Sequence, residues 1–236
     1  MMQKKSIDVA WAGETHRVWV AGAFDSYLDQ FAEEVGGYLG DERCPFGVLL
    51  WPSARTLAQS LLDELRFPRN RQGLIVELGC GVGFLSCVLA RIYPHAKILA
   101  CDYESELQTF VDQNAETWGV SDRVQFKRID WRQAPPKELQ ERCDWVLGTD
   151  VFYDDSHLTH LPPFAARLLV PGGRLTLADP QRYRYQKALS LLSEHFEKLG
   201  QREIPTSLKQ DGIEDFMINA GLEEQMVSIL EYKKRS

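Results

Sequence analysis

Three glycines and three aspartates carry most of the chemistry legible in this chain. Gly79, Gly81 and Gly83 alternate through ELGCGVGF, and Asp102 stands 21 residues after Gly81. Glycines let a ligand approach the backbone with no Cβ in the way, and a helix that starts behind them leaves N–H groups free to meet an anion. A carboxylate at that distance can accept both hydroxyls of a ribose. Asp130 and Trp131 place an acid beside a large ring, a pair that can bond a base's amino group and cover its face. Asp150 sits three positions before Tyr153, a carboxylate and a phenol suited to holding and aiming an incoming nucleophile. Trp51 precedes Pro52, and the restricted backbone before a proline makes it a candidate pocket wall.

These residues need a scaffold that gathers them, and the hydrophobic pattern predicts one. An apolar run over 74–78 reads as a strand buried on both faces, an apolar helix follows over 84–92, and a second strand over 97–101 ends on Asp102. Further strands are predicted over 124–129, ending at Asp130-Trp131, and over 143–148, delivering Thr149 and Asp150 to the same edge. In a doubly wound sheet ligands lie beyond the carboxyl ends of the strands, so the three aspartates converge on one crevice. The remaining pattern predicts helices over 105–118, 158–169 and 186–199, with a helix fragment over 137–141. A Pro171-Gly172-Gly173 turn precedes a fifth strand over 174–178, and strands over 202–208 and 225–232 form a closing antiparallel pair. Residues 209–222 between them shape a substrate mouth or simply connect. Ahead of the sheet, alternation over 7–20 around Gly13 predicts a hairpin, and apolar spacing over 27–39 a helix. An extended run from Phe46 stops at Pro52, where Ser53 caps a helix reaching to about Leu65. The expected organisation is an N-terminal extension over 1–45 and a main α/β domain over 46–236.

Composition bounds the function. The chain has 236 residues, 44% of them hydrophobic, enough for a large core. A net charge of −7 disfavours broad nucleic-acid binding. Five cysteines include no CxxC pair and no metal-finger spacing, and read as buried thiols in a reducing compartment. No apolar run approaches a membrane span and the start lacks a signal-peptide core, so a cytoplasmic protein is expected. Asp154, Asp155, His157 and His160 invite a metal reading, but charged residues at a helix start are more simply a solvated cap, and no metal is expected.

A dinucleotide fingerprint requires a small residue at position 84, where this chain has Phe84. The G-x-G-x-G form preceded by Glu77 resembles motif I of class I S-adenosylmethionine-dependent methyltransferases. The wider set of Trp51-Pro52, residues 77–81, Asp102, Asp130-Trp131 and Asp150 to Tyr153 resembles the lysine-methylating seven-β-strand group with a D-x-x-Y motif. The stretches WPSARTLAQSLLD, DVFYDD and LADPQR look most like the electron-transfer flavoprotein β-subunit lysine methyltransferase and its bacterial relatives.

The resemblance implies a Rossmann-like, mostly parallel seven-stranded sheet with a closing antiparallel strand. It implies S-adenosylmethionine as cofactor, held by Trp51, Glu77, Gly79, Cys80, Gly81, Gly83, Asp102, Asp130, Trp131 and Thr149, with Asp150 and Tyr153 facing the acceptor. A carboxylate stabilises a protonated lysine, which opposes the deprotonation that methylation requires. Asp150 is therefore expected to orient the amine, and the proton's route stays open. Gln181 stands where the resembled pattern has glycine, and the following Tyr183-Arg184-Tyr185 also departs from it, differences that bear on the protein substrate more than on the cofactor. A protein lysine is the expected acceptor. A small-molecule N- or O-acceptor is the alternative, and a nucleic-acid base is disfavoured because D-V-F-Y replaces the N/D-P-P-Y/F of base methyltransferases.

Overall fold

The structure, a computed structural model, describes residues 3–24, 46–64, 67–181, 184–208 and 224–235. Two strands, β1 (Lys4–Trp11) and β2 (Glu14–Ala21), form an antiparallel hairpin around Ala12 and Gly13, both at positive φ. A 3₁₀ turn over Phe46–Val48 leads to helix α1 (Pro52–Asp63). Then come β3 (Gly73–Leu78), α2 (Phe84–Ile92), β4 (Ala96–Asp102), α3 (Gln108–Thr117), β5 (Val124–Arg128) and β6 (Cys143–Thr149). The chain closes with α4 (Asp155–Leu168), β7 (Leu169–Asp179), α5 (Tyr185–His195), β8 (Phe196–Ser207) and β9 (Glu224–Lys234). The expected helix over 27–39 lies outside the described residues, as do the loop over 209–222 and Cys44.

Seven strands make one sheet in the order β5-β4-β3-β6-β7-β9-β8, parallel from β5 to β7 and antiparallel where β9 joins β7 and β8. Successive side chains alternate between two apolar clusters. Ile75, Ile98, Trp145 and Leu147 face one with α1, α2 and α3, while Val76, Leu99, Val146 and Leu175 face the other with α4 and α5. Burial on both faces explains why β3 reads as a continuous apolar run. The order reverses at β3: the chain runs outward to β4 on one side and later to β6 on the other. That reversal opens a crevice at the carboxyl ends of β3, β4 and β6, the place where the three sequence motifs end.

Several boundaries differ from expectation. The run before Pro52 is a 3₁₀ turn, and Ser53 does not cap α1; it is buried inside the helix, with Pro52 at the first turn and Trp51 at the N-cap position. The Pro171–Gly173 turn is absorbed into β7 as an irregularity, since Cys143 pairs with Leu169 and Trp145 with Arg174. Helix α5 ends at His195, because Phe196 onwards is taken up by eleven register partners on β9. The apolar spacing of Phe196 and Leu199 suits a helix, but tertiary pairing overrides it. Four described cysteines, Cys80, Cys87, Cys101 and Cys143, are buried free thiols. Among the described residues no helix is long and apolar enough to cross a membrane.

Candidate active site

At the crevice lies a cavity of about 610 Å³, within the range of small-ligand sites. Each side chain arrives there on the end of an element. Glu77 is the penultimate residue of β3, and the loop behind the strand turns through Gly79 and Gly81, both at positive φ. A Cβ on Gly81 would stand 2.7 Å from the Gly47 carbonyl oxygen, and one on Gly79 3.0 Å from Val151. At Gly81 a backbone oxygen blocks any side chain, and at Gly79 the left-handed backbone and the Val151 methyl disfavour one. Gly83 differs in role: it is the left-handed N-cap of α2 and packs under Val111 on α3, where a Cβ would stand at 2.9 Å, and it does not line the cavity.

Asp102, at the end of β4, is buried and lines the cavity. Its Oδ2 accepts the Gly81 N–H at 3.1 Å and its Oδ1 the Glu104 N–H at 3.3 Å, so strand end and glycine loop are tied together. Desolvation raises its pKa to about 6. Glu77 is more extreme: burial pushes it up to about 8, opposed by the Ser86 hydroxyl that donates to its Oε2. Trp131 lines the cavity with a buried indole whose Nε1–H finds no partner among the described residues. Such a donor is costly to leave unmet and suits a ligand acceptor.

Past β6, Thr149 and Asp150 line the same cavity, followed by Tyr153. Asp150 sits at φ +57, the left-handed region, and its backbone N–H donates to Ala178 on the neighbouring strand at 2.9 Å. A non-glycine residue held there marks a constrained position of the kind that clusters at functional sites. Burial raises the Tyr153 phenol, with Asp102 and Glu104 adding to the shift. Trp51 also lines the cavity, its Nε1 donating to the Phe46 carbonyl at 2.9 Å.

Asp130 does not join this group. It lies outside the cavity lining, and its carboxylate is taken by its own neighbour Arg132, through the backbone N–H at 3.0 Å and the guanidinium Nε and Nη2 at 2.9 Å. That pairing holds Asp130 below the usual carboxylate range and turns its carboxylate toward Arg132. The fold also supplies residues that sequence reasoning passed over: Phe46, Tyr103, Glu104 and Arg184 line the cavity. Tyr103 and Glu104 follow the ribose-type aspartate directly, which was a usable signal; Arg184 reaches the site only through the start of α5.

His157 and its neighbours also depart from expectation. Asp154 caps α4, its Oδ1 accepting the His157 N–H at 3.1 Å, but this cap is buried, not solvated. The His157 ring packs against Trp131, Tyr103 and Tyr153, with centroids at 5.2, 5.8 and 5.0 Å. It braces three aromatic residues of the cavity from behind, and desolvation lowers its pKa.

The donor set discriminates between ligands. Glu77, Asp102, Glu104 and Asp150 line the cavity against one described cation, Arg184. A pyrophosphate would meet repulsion here, whereas a nucleoside with a cationic tail finds a carboxylate for its ribose, a carboxyl for its ammonium and an indole for its base. S-adenosylmethionine has that character, and the residues present fit it.

A family model described as lysine methyltransferase matches residues 39–195 of this chain. The protein-lysine N-methyltransferase EFM3 of Chaetomium thermophilum is 28% identical over 148 residues, covering 58% of this chain and 44% of that protein. Trans-aconitate 2-methyltransferase of Streptomyces avermitilis is 28% identical over 136 residues, covering 55% and 47%. The chain thus spans less than half the length of these curated relatives. In fold, it resembles geranyl diphosphate C-methyltransferase from Streptomyces coelicolor, solved with S-adenosyl-L-homocysteine, with a TM-score of 0.55 at 16% identity over 76% of this chain and 78% of the other.

Proposed function

Since the chain belongs to the lysine methyltransferase family, whose methyl donor is S-adenosylmethionine, we propose that it methylates the ε-amine of a lysine in a protein substrate. The observation that carries this reading is the meeting of two sets of groups in one cavity: Asp102, Trp131 and the glycine loop on one side, Asp150 and Tyr153 on the other. The donor supplies a methyl group on a sulfonium, transferred by in-line displacement. The protein's task is then to exclude water and aim the amine, not to provide a strong nucleophile.

Within this proposal Gly79, Cys80 and Gly81 give a close-approach backbone and Asp102 accepts the ribose hydroxyls. Glu77 faces the donor's ammonium, and Trp51, Trp131 and Thr149 complete the pocket. Gly83 and Asp130 are left out of the contact set on the geometry above. Asp150 draws in the protonated lysine and fixes its direction, and Tyr153 bonds the nitrogen. The D-x-x-Y spacing of those two residues supports the lysine-methylating group, and the residues following Trp51 support kinship with the enzymes acting on the electron-transfer flavoprotein β-subunit. Residues 46–236 form the catalytic domain in this reading and residues 1–45 its extension.

Tritiated S-adenosylmethionine incubated with the protein and a soluble cell extract tests the proposal. Label that resists organic extraction, is lost to proteinase and elutes as methyl-lysine after acid hydrolysis is the expected result. Label confined to extractable small molecules overturns it in favour of a small-molecule acceptor.

A further inference from the structure

Tyr153 can aim an acceptor only if the chain that carries it is held, and residues 150–154 lie between β6 and α4 in neither helix nor strand. We propose that Arg184 is the positioning residue for this segment, its guanidinium holding the Tyr153 main chain so that the phenol meets the acceptor beside Asp150. The inference rests on the reading of Tyr153 as an acceptor-facing group.

The segment is tied at two points, and both ties come from β7 and the chain that leaves it. At its start the Asp150 N–H donates to the Ala178 carbonyl at 2.9 Å. At its end Arg184 Nη1 donates to the Tyr153 carbonyl at 2.8 Å. Helix α4 does not take that carbonyl. Its bonding begins one residue later, where the Asp154 carbonyl accepts the Leu158 N–H and Asp154 Oδ1 the His157 N–H. Between the two ties Val151 and Phe152 are buried in the cluster that α4 and α5 face, so the backbone has little room once both ends are set. The His157 ring meets the Tyr153 ring edge-on at 5.0 Å, which limits the tilt of the ring and leaves the carbonyl tie to set where the ring starts.

Helix stability does not explain why Arg184 stands where it does. It is the N-cap residue of α5, whose first turn has no acid, and a cation at that end opposes the helix dipole. What holds it lies on α4: its Nε stands 3.5 Å from Asp155 Oδ2, and Asp155 Oδ1 accepts Lys187 Nζ at 2.7 Å. Of the two cations sharing Asp155, Arg184 also reaches the Tyr153 carbonyl and lines the cavity, and Lys187 does neither. A guanidinium suits this place because its planar fork serves a carbonyl and a carboxylate at once, which an ammonium on a flexible stem does less well. Arg184 also belongs to Tyr183-Arg184-Tyr185, the stretch that departs from the resembled pattern, and the tie gives that departure a use.

A set of variants tests the tie. Tritium transfer from S-adenosylmethionine to soluble cell-extract protein is measured at saturating donor, beside S-adenosylhomocysteine affinity by calorimetry and thermal melts. Arg184→Ala is expected to lower turnover roughly 10- to 100-fold, with the donor KM and S-adenosylhomocysteine affinity unchanged and the melting temperature moved by no more than a few degrees. Lys187→Ala removes a charge beside Asp155 without touching Tyr153 and should stay within about twofold of wild type. In a Tyr153→Phe background Arg184→Ala should cost little more, because residues that act as one unit are not additive. Normal turnover in Arg184→Ala, an equal loss in Lys187→Ala, a full additive loss in the Tyr153→Phe background, or a matching fall in S-adenosylhomocysteine affinity each overturns the proposal.

A second measurement needs no acceptor. In protein labelled with ¹³C in its tyrosine rings and saturated with S-adenosylhomocysteine, the Tyr153 resonance, assigned by its loss in Tyr153→Phe, is expected to move or broaden in Arg184→Ala and to stay in place in Lys187→Ala. Should the wild-type protein label no lysine, the acceptor reading fails by itself and this arm decides alone. An unmoved Tyr153 resonance then overturns the tie, and a moved one supports it for another acceptor.

Discussion

At residue scale, the site is a collection of carboxyls in unequal environments, and the inequality is testable. Glu77 has a native pKa of about 8 against an ordinary 4.5, so between those values the native state keeps a proton that the unfolded chain has lost. Stability from this group is therefore greatest below about pH 4.5 and declines as pH rises toward 8. Glu77→Gln, which preserves the Ser86 bond, is expected to gain on the order of a few kcal/mol over wild type at pH 8 and little at pH 4.5, read by denaturant melts at both. Equal shifts at the two pH values would remove burial of the acid as the cause. Asp150 makes a second prediction. Its φ of +57 is tolerated by asparagine better than by alanine, so Asp150→Asn should keep the melting temperature while losing turnover, and Asp150→Ala should lose about 1 kcal/mol as well. The placing of Asp102 at the end of β4 and of Asp150 just past β6 was legible in the sequence because strand periodicity fixes where strands end. The place of Asp130 outside the cavity lining was not legible, because it is decided by a side chain two residues away: Arg132 folds back on it, and periodicity says nothing about that choice.

At the scale of elements, the turn leaving β7 carries the clearest departure from the resembled pattern. Gln181 stands where that pattern has glycine, and its φ is +58, a backbone conformation glycine adopts freely. The strain is offset by its side chain, whose Nε2 donates to Ser228 Oγ at 2.6 Å and Glu203 Oε1 at 2.9 Å, joining the turn to β9 and β8. Gln181→Gly relieves the strain and loses the bonds, whereas Gln181→Ala keeps the strain and loses the bonds. The expected order of melting temperature is wild type at or above glycine, and glycine above alanine by about 1 kcal/mol. Alanine matching glycine would mean the left-handed backbone is not held in solution. The strands and crossover helices of the parallel half were legible because both faces are buried and the apolar runs are unbroken. The antiparallel end was less so: β8 alternates between exposed and half-buried residues along most of its length, and its first residues carry helical spacing, so only the partner β9 decides its start.

At the scale of the whole molecule, the N-terminal hairpin was legible as a hairpin, but its connection to the site was not, because one buried asparagine on a distant helix makes it. Asn114 on α3 is fully buried. Its Oδ1 accepts the Trp19 N–H at 2.7 Å, and its Nδ2 donates to the Trp19 carbonyl at 3.1 Å and to the Val82 carbonyl at 2.8 Å. Val82 belongs to the glycine loop and lines the cavity, so a single side chain clamps β2 to that loop. Around it, Trp118 donates to the Arg17 carbonyl at 3.0 Å, stacks on His16 at 4.4 Å and meets Trp11 at 5.7 Å. Asn114→Ala removes the partner of the Trp19 N–H and of the Trp19 and Val82 carbonyls, a loss of about 2–4 kcal/mol. Because the loop loses a support, S-adenosylhomocysteine affinity should fall as well, measured by calorimetry beside thermal melts. Asn114→Asp is the sharper probe. It keeps the acceptor for Trp19 but turns a carboxylate oxygen toward two carbonyls, so it should destabilise at least as much as alanine near neutrality and recover as pH falls and the carboxyl gains a proton to donate. If both variants melt earlier yet bind the ligand unchanged, the hairpin supports the fold without reaching the site, and the clamp is structural alone.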